Sequence, residues 1–192
     1  MIPRTTAKCD PYLSVGWKSH LIQTRLVGSY NFENVAAAIG VGQYFKVEDD
    51  KIVEALEAYT PTNSRLQVIE TEKNQILMDA YNANPTSMRA ALINFANIRG
   101  EQHLLILGDM RELGSASEEE HRNILGLMKE LGFKAAFLVG QNFCAYNDNP
   151  DWKTFAKVED SCQYIESHPI EGKHILVKGS RGIQLEKVLP LL

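Results

Sequence analysis

The chain has 192 residues, room for one full domain and part of a second. Its 44% hydrophobic and 23% charged content suits a globular protein, and a net charge of −4 gives no electrostatic reason to expect nucleic acid. Three cysteines without C-x-x-C spacing, five scattered histidines and no apolar run of bilayer length argue against a disulfide framework, a zinc centre and a membrane span.

The thiols read as buried or free in a reducing cytoplasm, and the first residues lead into no signal-peptide core. Alternating residues predict strands over 12–17 and 20–27, joined at Lys18-Ser19. A lone hairpin is marginal in water, so these strands are expected to belong to a larger sheet. A helix opens at 28–31 and carries Val35, Ala36, Ala38, Ile39 and Gly42; a second covers roughly 48–59. Asn31 and Asn34 share a face of the first turn, where Asn31 can cap and Asn34 can simply be polar. Pro61-Thr62-Asn63-Ser64 marks a boundary between residues 1–61 and 62–192.

Beyond it the rhythm is strand and helix. Residues 66–69 and 76–78 flank a turn at Glu72-Lys73-Asn74, predicting a hairpin. Met88, Ala91, Leu92, Phe95 and Ala96 recur on one helix face, with Asn84 at the N-cap, Pro85 at the first helical position and Gly100 as the expected stop. The continuous apolar run 103–107 predicts a strand buried on both faces, ending in Gly108-Asp109. Ser117 with Glu120 predicts a capping box, and Ile124, Leu125, Met128 and Leu131 a buried stripe ending at Gly132. His121 is expected at the surface of that helix. Strands at 135–139, 152–155 and 174–177, a helix at 159–166 and a closing helix with Ile183, Val188 and Leu189 complete the pattern. The fold class is α/β: a Rossmann-like, mainly parallel sheet flanked by helices. Its strand ends line up Asp79, Asp109, Gln141 and Lys178 along one edge, the default place for a ligand crevice.

The richest stretch runs from Met78 to Met88. Capping accounts for Asn84 and turn geometry for Asn82, but neither requires a carboxylate at Asp79. Lys178-Gly179-Ser180-Arg181-Gly182 places two cations and a hydroxyl at a helix start, where an anion would bind; alternatively Ser180 caps and the cations are solvated. Asp109, Arg111 and Glu112 could line the crevice or form an ion-pair network. No G-x-x-x-x-G-K-[ST] loop is present, since Gly172-Lys173 is followed by His174.

Asp79-Ala80-Tyr81-Asn82-Ala83-Asn84-Pro85-Thr86-Ser87-Met88 closely resembles the D-S-Y-N-A-N-P-x-S-M motif of the Mur ligase family of peptidoglycan synthesis, with Ala80 in place of serine. Residues 107–114 and 177–182 resemble the same family. The resemblance covers nearly the whole chain but only the rear part of such an enzyme. It implies the tail of a central ATP-binding domain in 1–61 and the Mur ligase C-terminal domain in 62–192. A G-x-x-N-x-x-N-x-x-A-A pattern matched by Gly28, Asn31, Asn34, Ala37 and Ala38 implies amides on the adenine of ATP; Tyr30 stands where many members have histidine. Arg65 would reach nucleotide phosphate or ribose just past an interdomain hinge, unless it is a solvated hinge charge, and Asp79 would hold the ribose or the hinge. Tyr81, Asn82, Asn84, Asp109, Lys178, Ser180 and Arg181 would serve the amine substrate, D-alanyl-D-alanine. The implied parent is a cytoplasmic ligase that uses ATP and Mg2+ to activate a UDP-muramoyl tripeptide as an acyl phosphate. No catalytic residue or metal ligand is assigned to this chain, which without the phosphate loop is expected to be inactive alone. The rival reading is a stand-alone α/β small-molecule-binding module without ATP chemistry.

Overall fold

The computed structural model describes residues 7–9, 12–28, 31–60, 67–98 and 102–192. The chain divides into two compact units, residues 1–62 and 63–192. In the first, β1 (Ala7–Cys9), β2 (Tyr12–Trp17) and β3 (His20–Val27) form an antiparallel sheet in that order. Alternation in β2 turns Leu13, Val15 and Trp17 inward. They meet Val35 and Ile39 of α1 (Asn31–Tyr44) and Ile52 of α2 (Asp49–Ala58) in one core. The far side of α1 and the turn after it leave Val41, Tyr44 and Phe45 exposed.

The second unit is a six-stranded sheet. β4 (Gln67–Glu70) pairs antiparallel with β5 (Gln75–Asp79), closing the expected hairpin. All other pairings are parallel, among β6 (His103–Gly108), β7 (Ala136–Val139), β8 (Lys153–Phe155) and β9 (His174–Lys178), in the order β4-β5-β9-β6-β7-β8. The last strand therefore inserts between β5 and β6. That reversal of strand order is a topological switch point, and in open α/β sheets ligands bind beside such a point, beyond the carboxyl ends of the strands.

The helices are α3 (Pro85–Ala96), α4 (Ser117–Glu130), α5 (Gln141–Tyr146) and α6 (Val158–Ser167). Ile76, Met78, Leu104, Ile106, Ile175 and Val177 face α6 and the C-terminal segment in one apolar cluster. The alternate residues Leu77, Leu105, Leu107 and Leu176 point the other way. Asp79 and Lys178 continue that second set, in register with Leu107.

Three local expectations need correction. Ser117 does not cap α4: a 3-10 turn over Gly114–Ala116 runs into the helix, Ala116 already has helical backbone, and no side chain makes the cap bond. His121 is 0% exposed rather than on the surface. The closing segment is not one helix but two 3-10 pieces, Arg181–Ile183 and Leu185–Leu191, split by Gln184 at φ 62° with Pro190 inside the second. The C-cap of α3 is Asn97, and the stop expected at Gly100 lies outside the described residues. No helix among the described residues is long and apolar enough to cross a membrane.

Candidate functional site

Four strand ends build the crevice edge. At the end of β9, Lys178 is 1% exposed and its ammonium pairs with the Asp79 carboxylate at the end of β5, also donating to the Asn82 carbonyl at 3.3 Å. Two residues assigned to different ligands are thus brought onto each other. In the turn that follows β5, Asn82 uses its side-chain oxygen on the Ala83 N–H. Asn84 accepts from the Ser87 N–H at 2.8 Å while the Ser87 hydroxyl accepts from the Asn84 N–H, a reciprocal capping box on α3.

Beyond β6, Asp109 is buried and its carboxylate accepts from the Asn142 N–H (2.9 Å), the Phe143 N–H (3.0 Å) and the Asn142 side chain (3.0 Å). It therefore caps α5 from another strand. Gly140, at φ 129°, is required there, because a Cβ would run into that carboxylate. Ser180, buried, accepts from the Arg111 N–H at 2.8 Å and lies 3.4 Å from the Ala83 carbonyl. It caps nothing: the 3-10 piece after it has no side-chain cap.

The exposed cations of this edge are Arg111 and Arg181. The Arg111 guanidinium lies where a Cβ on Gly182 would sit, and the Arg181 guanidinium stands 5.5 Å over the ring of half-buried Tyr81. Among the described residues neither guanidinium pairs with a carboxylate.

In the first unit, Asn34 donates its side-chain N–H to Asn31 Oδ1 at 2.9 Å; Asn31 is buried and Asn34 exposed. Arg65 lies outside the described residues.

His121 is the participant that sequence reasoning missed. Its spacing to Ile124, Leu125 and Met128 puts it on the buried stripe of α4, which was the available clue. Ser117, His121 and Asp109 look like a hydrolase triad, with Ser117 Oγ 3.4 Å and Asp109 Oδ1 3.6 Å from the two ring nitrogens. The ring is used otherwise. Its Nδ1 lies 2.7 Å from the Ser117 carbonyl and its Nε2 accepts the Met110 N–H at 3.1 Å, so neither nitrogen is left for a hydroxyl proton. Burial pushes the thiols of Cys144 and Cys162 above their ordinary value, which disfavours thiolate chemistry.

The crevice carboxylates do not fit a bound Mg2+ either. Asp79 is committed to an ammonium and Asp109 to three N–H donors, and the described residues contain no group of three metal-ligating side chains.

A mainly parallel sheet that gathers amides, a hydroxyl and two guanidiniums, without a carboxylate partner among the described residues, at the edge beside its switch point defines an α/β domain of the doubly wound kind. A profile described as Mur ligase, glutamate ligase domain, matches residues 64–181, and the chain belongs to this family. It is 30% identical over 85% of its length to the UDP-N-acetylmuramoyl-tripeptide–D-alanyl-D-alanine ligase of Bacillus subtilis. It is 31% identical over 92% of its length to that of Treponema pallidum. A crystal structure of MurF from Acinetobacter baumannii superposes with TM-score 0.79 at 26% identity, over 98% of this chain and 43% of that one. The Thermotoga maritima MurF structure in complex with ADP shares the fold, with TM-score 0.77 at 19% identity, over 97% of this chain and 45% of that one. The chain spans 38% and 40% of the two curated relatives.

Proposed function

We propose that this chain is part of an ATP-dependent ligase that joins D-alanyl-D-alanine to a UDP-N-acetylmuramoyl tripeptide, with residues 62–192 receiving the dipeptide and residues 1–61 belonging to an ATP-binding domain. The names of its relatives support the reaction. Charge at the crevice supports the dipeptide. Lys178 is paired with Asp79, so among the described residues the cations of this edge open to a carboxylate are Arg181 and Arg111, beside the Ser180 hydroxyl and the Tyr81 ring. Arginine's planar fork suits a carboxylate, and holding the dipeptide by that end leaves its amine free to react.

The chemistry explains why ATP is needed. A carboxylate is too poor an electrophile for an amine near neutral pH, so the tripeptide carboxylate takes the terminal phosphoryl group of ATP, releasing ADP. The dipeptide amine then attacks the acyl phosphate carbon, the new C–N bond replaces the C–O bond to phosphate, and inorganic phosphate leaves. This chain's contribution is to hold and orient the amine. In the first unit the Asn31–Asn34 pair is proposed to meet the adenine, since amides can donate and accept along its edge.

The test is phosphate release from ATP by the chain extended upstream to its natural start, given UDP-muramoyl tripeptide with and without D-alanyl-D-alanine. Release that requires the dipeptide is expected. Release answering only to a single amino acid makes it a sister ligase, and no release with any pairing leaves a binding module.

A further inference from the structure

We propose that His121 is a positioning residue: through the Met110 N–H it sets the loop that presents Arg111 to the crevice, a role that rests on the dipeptide reading above. Three successive amides leaving β6 each find a different partner. Asp109 N–H donates to the Val139 carbonyl at 2.9 Å, Met110 N–H to His121 Nε2 at 3.1 Å, and Arg111 N–H to Ser180 Oγ at 2.8 Å. The loop does not fix itself, since Glu112 turns it through φ 68°, a region a non-glycine residue visits only when its surroundings hold it there. Met110 and His121 are both buried, so solvent cannot replace the middle bond and its loss would orphan a buried donor.

The same contacts select one tautomer. The Ser117 carbonyl 2.7 Å from Nδ1 can only accept, so Nδ1 carries the proton; Nε2 faces an N–H, so it is bare. Asp109 Oδ1, 3.6 Å from Nε2, is beyond hydrogen-bond reach; the Ser117 hydroxyl lies 3.4 Å from Nδ1, and the aromatic neighbours of the ring are Phe143, edge-on, and Tyr146, itself covered by Arg122. The stripe neighbours Ile124, Leu125 and Met128 are apolar, and an apolar side chain at 121 would avoid the desolvation of an imidazole. What the imidazole adds is the bond to the loop.

The experiment uses 15N-histidine NMR and amide exchange on the 192-residue chain, with D-alanyl-D-alanine as probe, for the wild type, His121→Gln and His121→Asn. Glutamine places an amide near Nε2 and can still accept from Met110; asparagine reaches only the Nδ1 side. The wild type should carry its His121 proton on Nδ1. In His121→Asn the Met110 and Arg111 amides should exchange about tenfold faster, with dipeptide affinity falling by a similar factor, while His121→Gln keeps most of both. A protonated Nε2 overturns the proposal, as do two variants that exchange alike, or loosened amides with unchanged dipeptide affinity. Should the wild type bind no dipeptide, the proposed substrate fails, and tautomer and exchange still decide whether His121 holds the loop.

Discussion

At Lys178 an ammonium is taken out of water at the end of β9, and Asp79 is the charge that makes this tolerable. The pair explains why the motif places a carboxylate at a strand end where neither capping nor turning needs one. It also changes how a substitution there will read. Lys178→Ala leaves a buried carboxylate without a partner, for which an expected loss is about 3–5 kcal/mol of stability. Lys178→Met combined with Asp79→Asn removes both charges and should recover most of that loss. Urea unfolding of the wild type, Lys178→Met, Asp79→Asn and the double variant measures this. Losses that simply add would mean that the two charges do not hold each other. Because Lys178→Ala breaks this pair, reduced dipeptide use by that variant would report a destabilised strand edge before it reported a lost ligand contact. Both residues were visible in the sequence as polar strand ends. Their pairing was not, because the partners lie 99 residues apart and meet only through the insertion of β9 beside β5.

Among the elements, β6 joins the parallel strands at its amino end through His103, which sits beside Phe95, Phe133 and His174 with Nε2 buried and unpartnered among the described residues. Burial, and then the neighbouring His174, lower its pKa from the ordinary 6.5. A histidine lowered on folding binds more protons when unfolded, so its contribution to stability is complete above 6.5 and is lost as pH falls below that value. His103→Phe, which suits the aromatic surroundings, should make the urea midpoint fall less steeply between about pH 7.5 and 5.5 than in the wild type; an unchanged slope would remove His103 from the acid sensitivity. The strands and the stripes of α3 and α4 were legible because burial on both faces, or on one, imposes a period on the residues themselves. What escaped were contacts that period does not encode. Asp109 caps a helix that begins 32 positions later in the chain, as the Asn142 N–H bond records with its separation of 33. The left-handed Gln184 breaks the last helix although glutamine is not a breaking residue by composition. His121 is the opposite case: it lies on a stripe that period does reveal, and a polar ring near the start of a helix carries no sign in its own chemistry that it is buried.

The chain divides into two compact units of unequal size, and its two tryptophans report them one each. Trp17 lies in the core of the first unit and Trp152, donating its indole N–H to the Phe133 carbonyl at 3.2 Å, in the second. The first unit, residues 1–62, is at the size where a chain buries only about 60% of its unfolded surface. It also leaves Tyr44 80% and Phe45 72% exposed, so part of its apolar surface contributes nothing to its own folding. The second unit buries a six-stranded sheet between helices on both faces. The first unit should therefore unfold at lower urea than the second. Single-tryptophan variants separate the two transitions: Trp152→Phe leaves Trp17 to report the first unit, and Trp17→Phe leaves Trp152 to report the second. Each substitution costs stability in the unit that is not being read, so the reporter's own packing is kept intact. Two midpoints, with that of Trp17 lower, are expected. Coincident midpoints in both variants would mean that the chain unfolds as one cooperative body.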